Sequence, residues 1–167
     1  YPNMAKNVLS NAANRHNKME EKDAYNKLTT ICASAEHCAF ELIEKMNKWH
    51  VDKQAQENII SRLKEKRYID EQRYTRAFVS DKLKYNKWGP LKISYALSAK
   101  HIDESIIQQS INDVDKTEWN EVLSLLLRNK KKATKSSSEY ELKGKLIRFA
   151  LSHGFTTEQV MSCLDSL

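Results

Sequence analysis

The chain has 167 residues, a formal charge of +6 and a pI near 9.1, but only three glycines and two prolines. So few turn residues, with Leu, Ala, Lys, Glu and Ile at helical spacing, exclude a β-rich fold and predict an all-α protein. The sequence has neither a leader-like segment nor a run of 18 apolar residues, and its three cysteines (Cys32, Cys38 and Cys163) form no CxxC pair, so we expect a cytoplasmic protein with reduced thiols.

The charge is unevenly distributed along the chain. Residues 62–100 hold 11 Lys/Arg and 4 Asp/Glu (+7), residues 101–127 hold 1 and 6 (−5), and residues 128–148 hold 8 and 2 (+6). Two basic blocks on either side of an acidic one predict an anionic partner. The alternative is that the lysines only solvate helix faces.

Residues 1–20 are polar and rich in asparagine, which predicts an extension without a packed core. Met4 and Met19 are both candidates for the natural first residue, so some of this stretch is not expected to belong to the natural chain. We assign it no function.

Helical periodicity begins near Asp23 and continues in three segments to about Arg67. Ser34 is the predicted N-cap of the second segment, and Val51–Asp52 opens the third. The predicted inward-facing side chains are Ala24, Leu28, Ile31 and Cys32, then Phe40, Ile43, Met46 and Trp49, then Ala55, Ile59, Ile60 and Leu63.

The stretch from Tyr68 to Ile111 reads as three short helices with tight joints. Asp70 is the predicted N-cap of the first, which should end near Asn86. The second helix should start at Gly89-Pro90 and the third at Ile102–Asp103. Hydrophobic staples are predicted between Ile69 and Tyr74, between Trp88 and Ile93, and between Ile102 and Ile107.

The last part of the chain shows the same pattern of helix caps and apolar stripes. Asp115 should cap a helix with Trp119, Val122, Leu123, Leu126 and Leu127 as its apolar stripe, ending in the basic run Arg128–Lys132. A loop at Ser136–Ser138 follows. Capping boxes are predicted at Ser138 with Glu141 and at Thr156 with Gln159, with Leu142, Leu146, Phe149 and Ala150 facing inward between them and Gly154 at the helix end.

An internal repeat connects these segments. Leu42, Met46 and Val51–Asp52 align with Ile93, Leu97 and Ile102–Asp103, and with Leu146, Ala150 and Phe155–Thr156, at offsets of 51 and 53 residues. A unit of this size buries its apolar face only by stacking on a neighbour. The sequence therefore predicts three three-helix repeats, residues 21–67, 68–114 and 115–167, in an elongated, curved tandem array.

The central repeat contains the I-D-E-x-R-Y-x-x-A-F run (Ile69 to Phe78), Gly89-Pro90 with Ile93, and Lys100-x-Ile102-Asp103. In this combination of residues and spacings it resembles the RecX family, which regulates the RecA recombinase. The family usually has glycine where this chain has His101, so the turn there must accept a side chain.

The resemblance implies a three-repeat helical fold and a non-enzymatic regulator. It implies that the chain binds the RecA filament and restrains strand exchange and ATP hydrolysis, with single- or double-stranded DNA as a further expected partner. We expect a monomer that needs no cofactor and no membrane. The alternative from the residues alone is a free-standing, helix-turn-helix-like DNA-binding transcription regulator, which would bind duplex without the recombinase.

The candidate partner-binding residues are the cations of the two basic blocks. On a helical wheel, Arg73, Arg76, Lys84 and Lys87 form one edge, while Tyr74, Phe78 and Tyr85 form a predicted core-facing side. For Arg73 the alternative is a structural tie to a local carboxylate. The full candidate set is Arg73, Arg76, Lys82, Lys84, Lys87, Lys92, Lys100, Lys130, Lys131, Lys132, Lys145 and Arg148.

Catalysis and metal binding find no support in the motifs. No HExxH, phosphate-binding glycine loop or nucleophile elbow is present in the sequence. Asp70, Glu71 and Asp81 could be combined into a metal-dependent nuclease site, but the capping role of Asp70 is simpler. His50 and His101 occupy equivalent joints, which predicts a turn role, and Trp49, Trp88 and Trp119 are predicted to be core residues.

Overall fold

The computed structural model describes residues 17–167, and most of the predicted polar extension lies outside this range. Within it every regular element is a helix, which confirms the all-α prediction. The nine helices of the described range are α1 (Glu21–Ser34), α2 (Ala39–Lys48), α3 (Lys53–Glu65), α4 (Glu71–Asn86), α5 (Pro90–Ala99), α6 (Glu104–Asn112), α7 (Lys116–Ala133), α8 (Glu139–Ser152) and α9 (Thr157–Asp165).

The chain divides into two compact units, and the division falls between Tyr74 and Thr75 within α4. In the first unit, α1 and α2 pack against α3 around the fully buried Leu28, Leu42 and Met46. In the second, α5 packs against α6, while α7, α8 and α9 pack against one another. The predicted repeat boundaries at residues 67/68 and 114/115 stay a prediction.

The joints predicted near Val51, Ile102 and Phe155 are confirmed, and they share one geometry. His50, His101 and Gly154 have positive φ angles of 55°, 58° and 91°. Each joint is closed by the same backbone hydrogen bond, donated by Val51 to Met46 (3.0 Å), by Ile102 to Leu97 (3.3 Å) and by Phe155 to Ala150 (3.3 Å). In this left-handed turn, a backbone N–H beyond the helix donates to a carbonyl at the helix end that would otherwise lack a hydrogen bond. The turn role predicted for the two histidines is therefore confirmed.

Most of the predicted helix caps are also confirmed. Side-chain oxygens accept from backbone N–H groups at Asp70 (from Arg73, 3.0 Å), Asp103 (from Ser105, 3.3 Å), Asp115 (from Thr117, 3.1 Å) and Ser138 (from Glu141, 3.1 Å). Thr156 and Gln159 form the full predicted box. The box at Ser138 is only half formed, because the Glu141 carboxylate accepts from the backbone N–H and the hydroxyl of Ser137.

The predicted start of α2 was wrong. Ser34 is the last residue of α1, and its hydroxyl donates to the carbonyl of Ile31 at 2.8 Å, because a serine at a helix end can bond back into its own turn. The helix α2 starts instead after Cys38, and the carboxylate of Glu71 accepts from the free N–H of Ala39 at 3.3 Å. The N-terminus of α2 is therefore capped by a glutamate 32 residues away and not by a local side chain.

In both α2 and α4 the buried side of the helix differs from the predicted one. In α2 the buried residues are Leu42 and Met46, whereas Ile43 is exposed. In α4 the buried positions include Val79 and Leu83, which lie about 100–140° around the helix from Phe78. Phe78 is half-buried, and Tyr85, placed on the core side by the wheel, is 80% exposed. Of the three predicted core aromatics, Tyr74 is buried as expected and Tyr85 is not, while the ring of Phe78 lies at the boundary beneath Lys82 and Lys100.

Two glycines allow the α4–α5 joint to approach the α8–α9 joint within the second unit. Gly89 N donates to His153 O at 2.7 Å, and Leu91 N donates to Gly154 O at 2.9 Å. A Cβ on Gly89 would overlap the backbone of Gly154 and Phe155, and a Cβ on Gly154 would overlap Lys92. Backbone can meet backbone here only because both side chains are absent.

Candidate partner-binding surface

Two predicted cations of α4, Arg76 and Lys84, project from the exposed side of the helix. The Asp70 cap and the buried stripe containing Val79 and Leu83 fix the start and the rotation of α4, and with them the direction of these two side chains. Both lie in the segment of highest positive charge. They form an exposed basic edge that an anionic partner can reach.

Three further predicted cations collect around two aromatic rings, in what we call the lysine–aromatic cluster. It consists of Phe78, Lys82, Trp88, Lys92 and Lys100. Lys82 Nζ lies 5.4 Å from the ring centre of Phe78 and 5.0 Å from that of Trp88. Lys92 Nζ lies 4.8 Å from Trp88, and Lys100 Nζ lies 5.7 Å from Phe78.

Cation–π attraction explains why ammonium groups of like charge gather here. The negative face of an aromatic ring attracts a cation within about 6 Å, with about 0.5–1 kcal/mol per exposed pair. Unlike a carboxylate, a ring carries no net charge. Lys82 and Lys92 are therefore ordered by rings that do not cancel their charge, which suits recognition of an anion.

The same geometry corrects the core prediction for the tryptophans. Trp119 is buried as predicted. Trp49 and Trp88 are only partly buried, and ammonium groups lie over both rings: Lys27 Nζ is 4.6 Å from Trp49, and Trp88 is covered by Lys82 and Lys92. These two rings act as platforms for lysines.

Arg73 occupies a structural position. Its Nε donates to Glu36 Oε1 at 2.5 Å, and its Nη2 lies 3.2 Å from the carbonyl of Arg67 and 3.4 Å from that of Tyr68. The guanidinium thus ties the start of α4 to the linker after α1. The structural role given as the alternative for Arg73 is confirmed, but its partner Glu36 lies 37 residues away and is not the local carboxylate that was expected.

Lys87 stabilises the turn between α4 and α5. Its φ is 56°, its Nζ donates to the carbonyl of Lys84 at 2.5 Å, and its own carbonyl is 3.0 Å from His153 Nδ1. A change at Lys87 would therefore disturb the turn between α4 and α5 as well as the surface charge.

The first part of the second basic block lies at the end of a helix, as predicted. Lys130, Lys131 and Lys132 form the last turn of α7, which runs to Ala133. Lys131 and Lys132 are exposed, while Lys130 Nζ lies 4.6 Å from the ring centre of Phe149.

Two candidates of this block come from α8. Lys145 Nζ is 3.0 Å from Glu141 Oε1 and 3.1 Å from the carbonyl of Lys135, so its charge is partly neutralised. Arg148 is exposed. Together with the Ser137 hydroxyl, the strongest influence, Lys145 lowers the pKa of Glu141 to about 2.

The sequence did not predict a polar cluster on Glu41 in the first unit. Glu41 accepts from the hydroxyl of Tyr74 at 2.5 Å and lies 2.8 Å from His37 Nδ1 and 3.7 Å from Cys38 Sγ. Burial, and then the bond to Glu41, raises the pKa of Tyr74. The cluster ties α2 to the first turn of α4, and Tyr74 lies 33 to 37 residues along the chain from its other members, so no local motif reveals this contact.

Over residues 17–167 no group of three or more His, Cys, Asp or Glu side chains is arranged to hold a metal ion. The cysteines in this range are free thiols. No helix in it is long and apolar enough to span a membrane.

Comparison with known proteins agrees with the central resemblance. Residues 70–111 match the family model described as RecX, second three-helix domain. The regulatory protein RecX of Acinetobacter baylyi is 32% identical over 132 residues, covering 79% of this chain and 80% of its own length. The RecX proteins of Lactobacillus johnsonii and Clostridium tetani are 30% and 32% identical over 77% and 76% of this chain.

The chain spans only 47% of the Lactobacillus johnsonii protein and 59% of the Clostridium tetani protein.

Two solved structures share the fold. The crystal structure of RecX from Lactobacillus salivarius has a TM-score of 0.77 at 19% identity, over 88% of this chain and 96% of its own. A crystal structure of regulatory protein RecX has a TM-score of 0.81 at 18% identity, over 87% and 73%.

Proposed function

Because the chain belongs to the RecX family of regulatory proteins, we propose that it binds the RecA recombinase filament and inhibits its strand-exchange and ATPase activities. The family name implies a regulator in the RecA system. Filament binding, inhibition and the surface responsible are the further steps of the proposal.

The observation that carries the proposal is the location of the basic surface. Arg76, Lys84 and the lysine–aromatic cluster all lie within residues 70–111, the segment that matches the second RecX domain. A basic surface of this kind is suited to a filament groove, which presents protein carboxylates close to DNA phosphates.

Inhibition would follow from binding alone. A regulator seated in the groove, where the family is expected to bind, would oppose the rearrangements that ATP hydrolysis and strand exchange require, and would block addition of recombinase subunits. No step of this mechanism needs a catalytic residue or a cofactor from the chain. Its strength should depend on salt, because screening shortens the reach of exposed charges to about 8–10 Å near physiological ionic strength.

The test is a recombinase ATPase assay on single-stranded DNA, with strand exchange in parallel. The wild-type chain should inhibit both. Arg76→Glu/Lys84→Glu should raise the half-inhibitory concentration about tenfold or more at low salt, since reversing two cations changes the charge of this edge by about four units. Lys131→Glu/Lys132→Glu is the matched control, with two exposed cations reversed at the end of α7, and it should have a smaller effect.

Lys87 is left unchanged in this design because it holds the turn before α5. No inhibition by the wild-type chain would overturn the proposed function. Inhibition that survives the α4 pair and is lost with the α7 pair would move the working surface to the second basic block.

The alternative, a free-standing DNA-binding regulator, makes a different prediction. Such a protein would bind duplex without recombinase, with an affinity that falls steeply as salt rises. Fluorescence anisotropy with a labelled duplex, with and without recombinase, separates the two functions.

A further inference from the structure

The helix α5 carries an apolar stripe on its solvent side, which we call the α5 stripe. Leu91 is 57% exposed and Tyr95 is 80% exposed, and the exposed Ala99 follows at the same four-residue spacing. Residues four apart lie on one face of a helix. The opposite face carries Ile93 and Leu97, which are fully buried, so α5 is anchored and cannot turn the stripe inward.

The surroundings of the stripe are strongly basic. Residues 80–100 contain five lysines and one aspartate, a net charge of +4. Lys92 lies on α5 itself, one residue after Leu91, and Lys100 lies immediately after its last residue. Lys92 is held over Trp88 beside Lys82, so the positive charge is ordered next to the apolar side chains.

We propose that the α5 stripe and the two lysines held on Trp88 beside it, Lys82 and Lys92 (the lysine rim), bind an acidic, amphipathic segment of the protein partner, with Leu91 and Tyr95 as the apolar anchors. The inference rests on the proposed function, in which that partner is the recombinase filament. Charge complementarity selects an acidic segment, and the i, i+4 spacing of the anchors suits apolar residues repeated at helical spacing on the partner.

The composition of the stripe favours a protein over nucleic acid. Single strands are bound mainly by stacking bases on aromatic rings. Leu91 is aliphatic, and the ring of Trp88 is already covered by Lys82 and Lys92. An exposed leucine and tyrosine on successive turns, with lysines beside them, suit the apolar centre and charged rim of a protein interface, in which tyrosine is among the residues that contribute most affinity.

The variant Leu91→Ser/Tyr95→Ser tests the proposal. Leu125→Ser/Tyr140→Ser is its matched control, because it makes the same two changes at exposed positions on α7 and α8. Binding of each protein to recombinase filaments assembled on single-stranded DNA is measured by co-sedimentation, and binding to the bare oligonucleotide by fluorescence anisotropy. Circular dichroism and thermal melting establish that every variant is folded.

We expect the α5 variant to bind filaments about tenfold or more weakly, with the control close to wild type and bare-DNA binding unchanged. The deficit should persist at high salt, because apolar contacts are not screened, whereas wild-type affinity should fall with salt through the lysine rim. Filament binding and inhibition like wild type by the α5 variant would overturn this inference and leave the proposed function standing. A loss of bare-DNA binding equal to the loss of filament binding would also overturn it, and would assign the stripe to nucleic acid. If the wild-type chain itself fails to inhibit, the proposed function fails first.

Discussion

The close approach of the α4–α5 and α8–α9 joints can be tested by adding single methyl groups. We consider Gly154→Ala and Gly89→Ala, each of which places a Cβ where the structure has backbone. At Gly154 the Cβ would overlap the backbone N and the side-chain Cβ of Lys92, and at Gly89 it would overlap the backbone of Gly154 and Phe155. Neither obstacle is the flexible end of a side chain, so relief requires the two joints to separate.

The magnitude follows from what the separation breaks. A non-glycine residue at the positive φ of Gly154 costs about 1–2 kcal/mol. The bonds from Gly89 N to His153 O and from Leu91 N to Gly154 O are also strained or lost, at about 0.5–1.5 kcal/mol each. We expect Gly154→Ala to destabilise the fold by about 2–5 kcal/mol. Gly89→Ala should cost somewhat less, because its φ is −84° and any residue adopts it.

The control is the glycine inside α8. A Cβ on Gly144 would meet only the mobile guanidinium of Arg148, at 3.3 Å, so Gly144→Ala should stabilise the chain by about 0.5–1 kcal/mol through helix propensity. Urea unfolding followed by circular dichroism measures all three variants. If Gly154→Ala and Gly144→Ala change the free energy of unfolding equally, the backbone approach at this joint is not what the structure indicates.

Three smaller predictions can be measured with the same preparations. Leu83→Ala should lower the free energy of unfolding by about 2–5 kcal/mol, and Phe78→Ala, at a half-buried ring, by clearly less, about 1–2 kcal/mol. A larger loss for Phe78→Ala in urea unfolding would mean that the predicted core side of α4, with Phe78 in it, was right. His50→Gly should stabilise by about 0.5–1 kcal/mol because its φ of 55° disfavours a side chain, and a lower melting temperature would refute that reading. The pKa of Glu141 is lowered to about 2, so its stabilising effect is present above its ordinary pKa and is lost as pH falls towards 2; Ser137→Ala should raise that pKa in an NMR titration, and an unchanged value would remove Ser137 as the main cause.

The sequence by itself determined the helical class, most of the helix caps and the three joints near Val51, Ile102 and Phe155. The reason is that caps and joints are local: Asp103 and Asp115 bond to N–H groups two residues ahead, and Thr156 and Gln159 bond to each other across one turn. The apolar pattern at offsets of 51 and 53 residues likewise located the left-handed joints, including one at His101 where glycine is usual. Such features depend on neighbours within a few positions and can be read from the chain.

Only the tertiary structure decided which way the helices face and what their charges do. Glu71 caps α2 from 32 residues away, and Arg73 pairs with Glu36 from 37 residues away, so neither role has a local signature. The composition predicted a basic surface, but not that Lys82, Lys92 and Lys100 gather over two aromatic rings, nor that Tyr95 projects into solvent beside them. The physical reason is that a helical wheel fixes angles within one helix, whereas the buried side is chosen by the neighbours that pack against it.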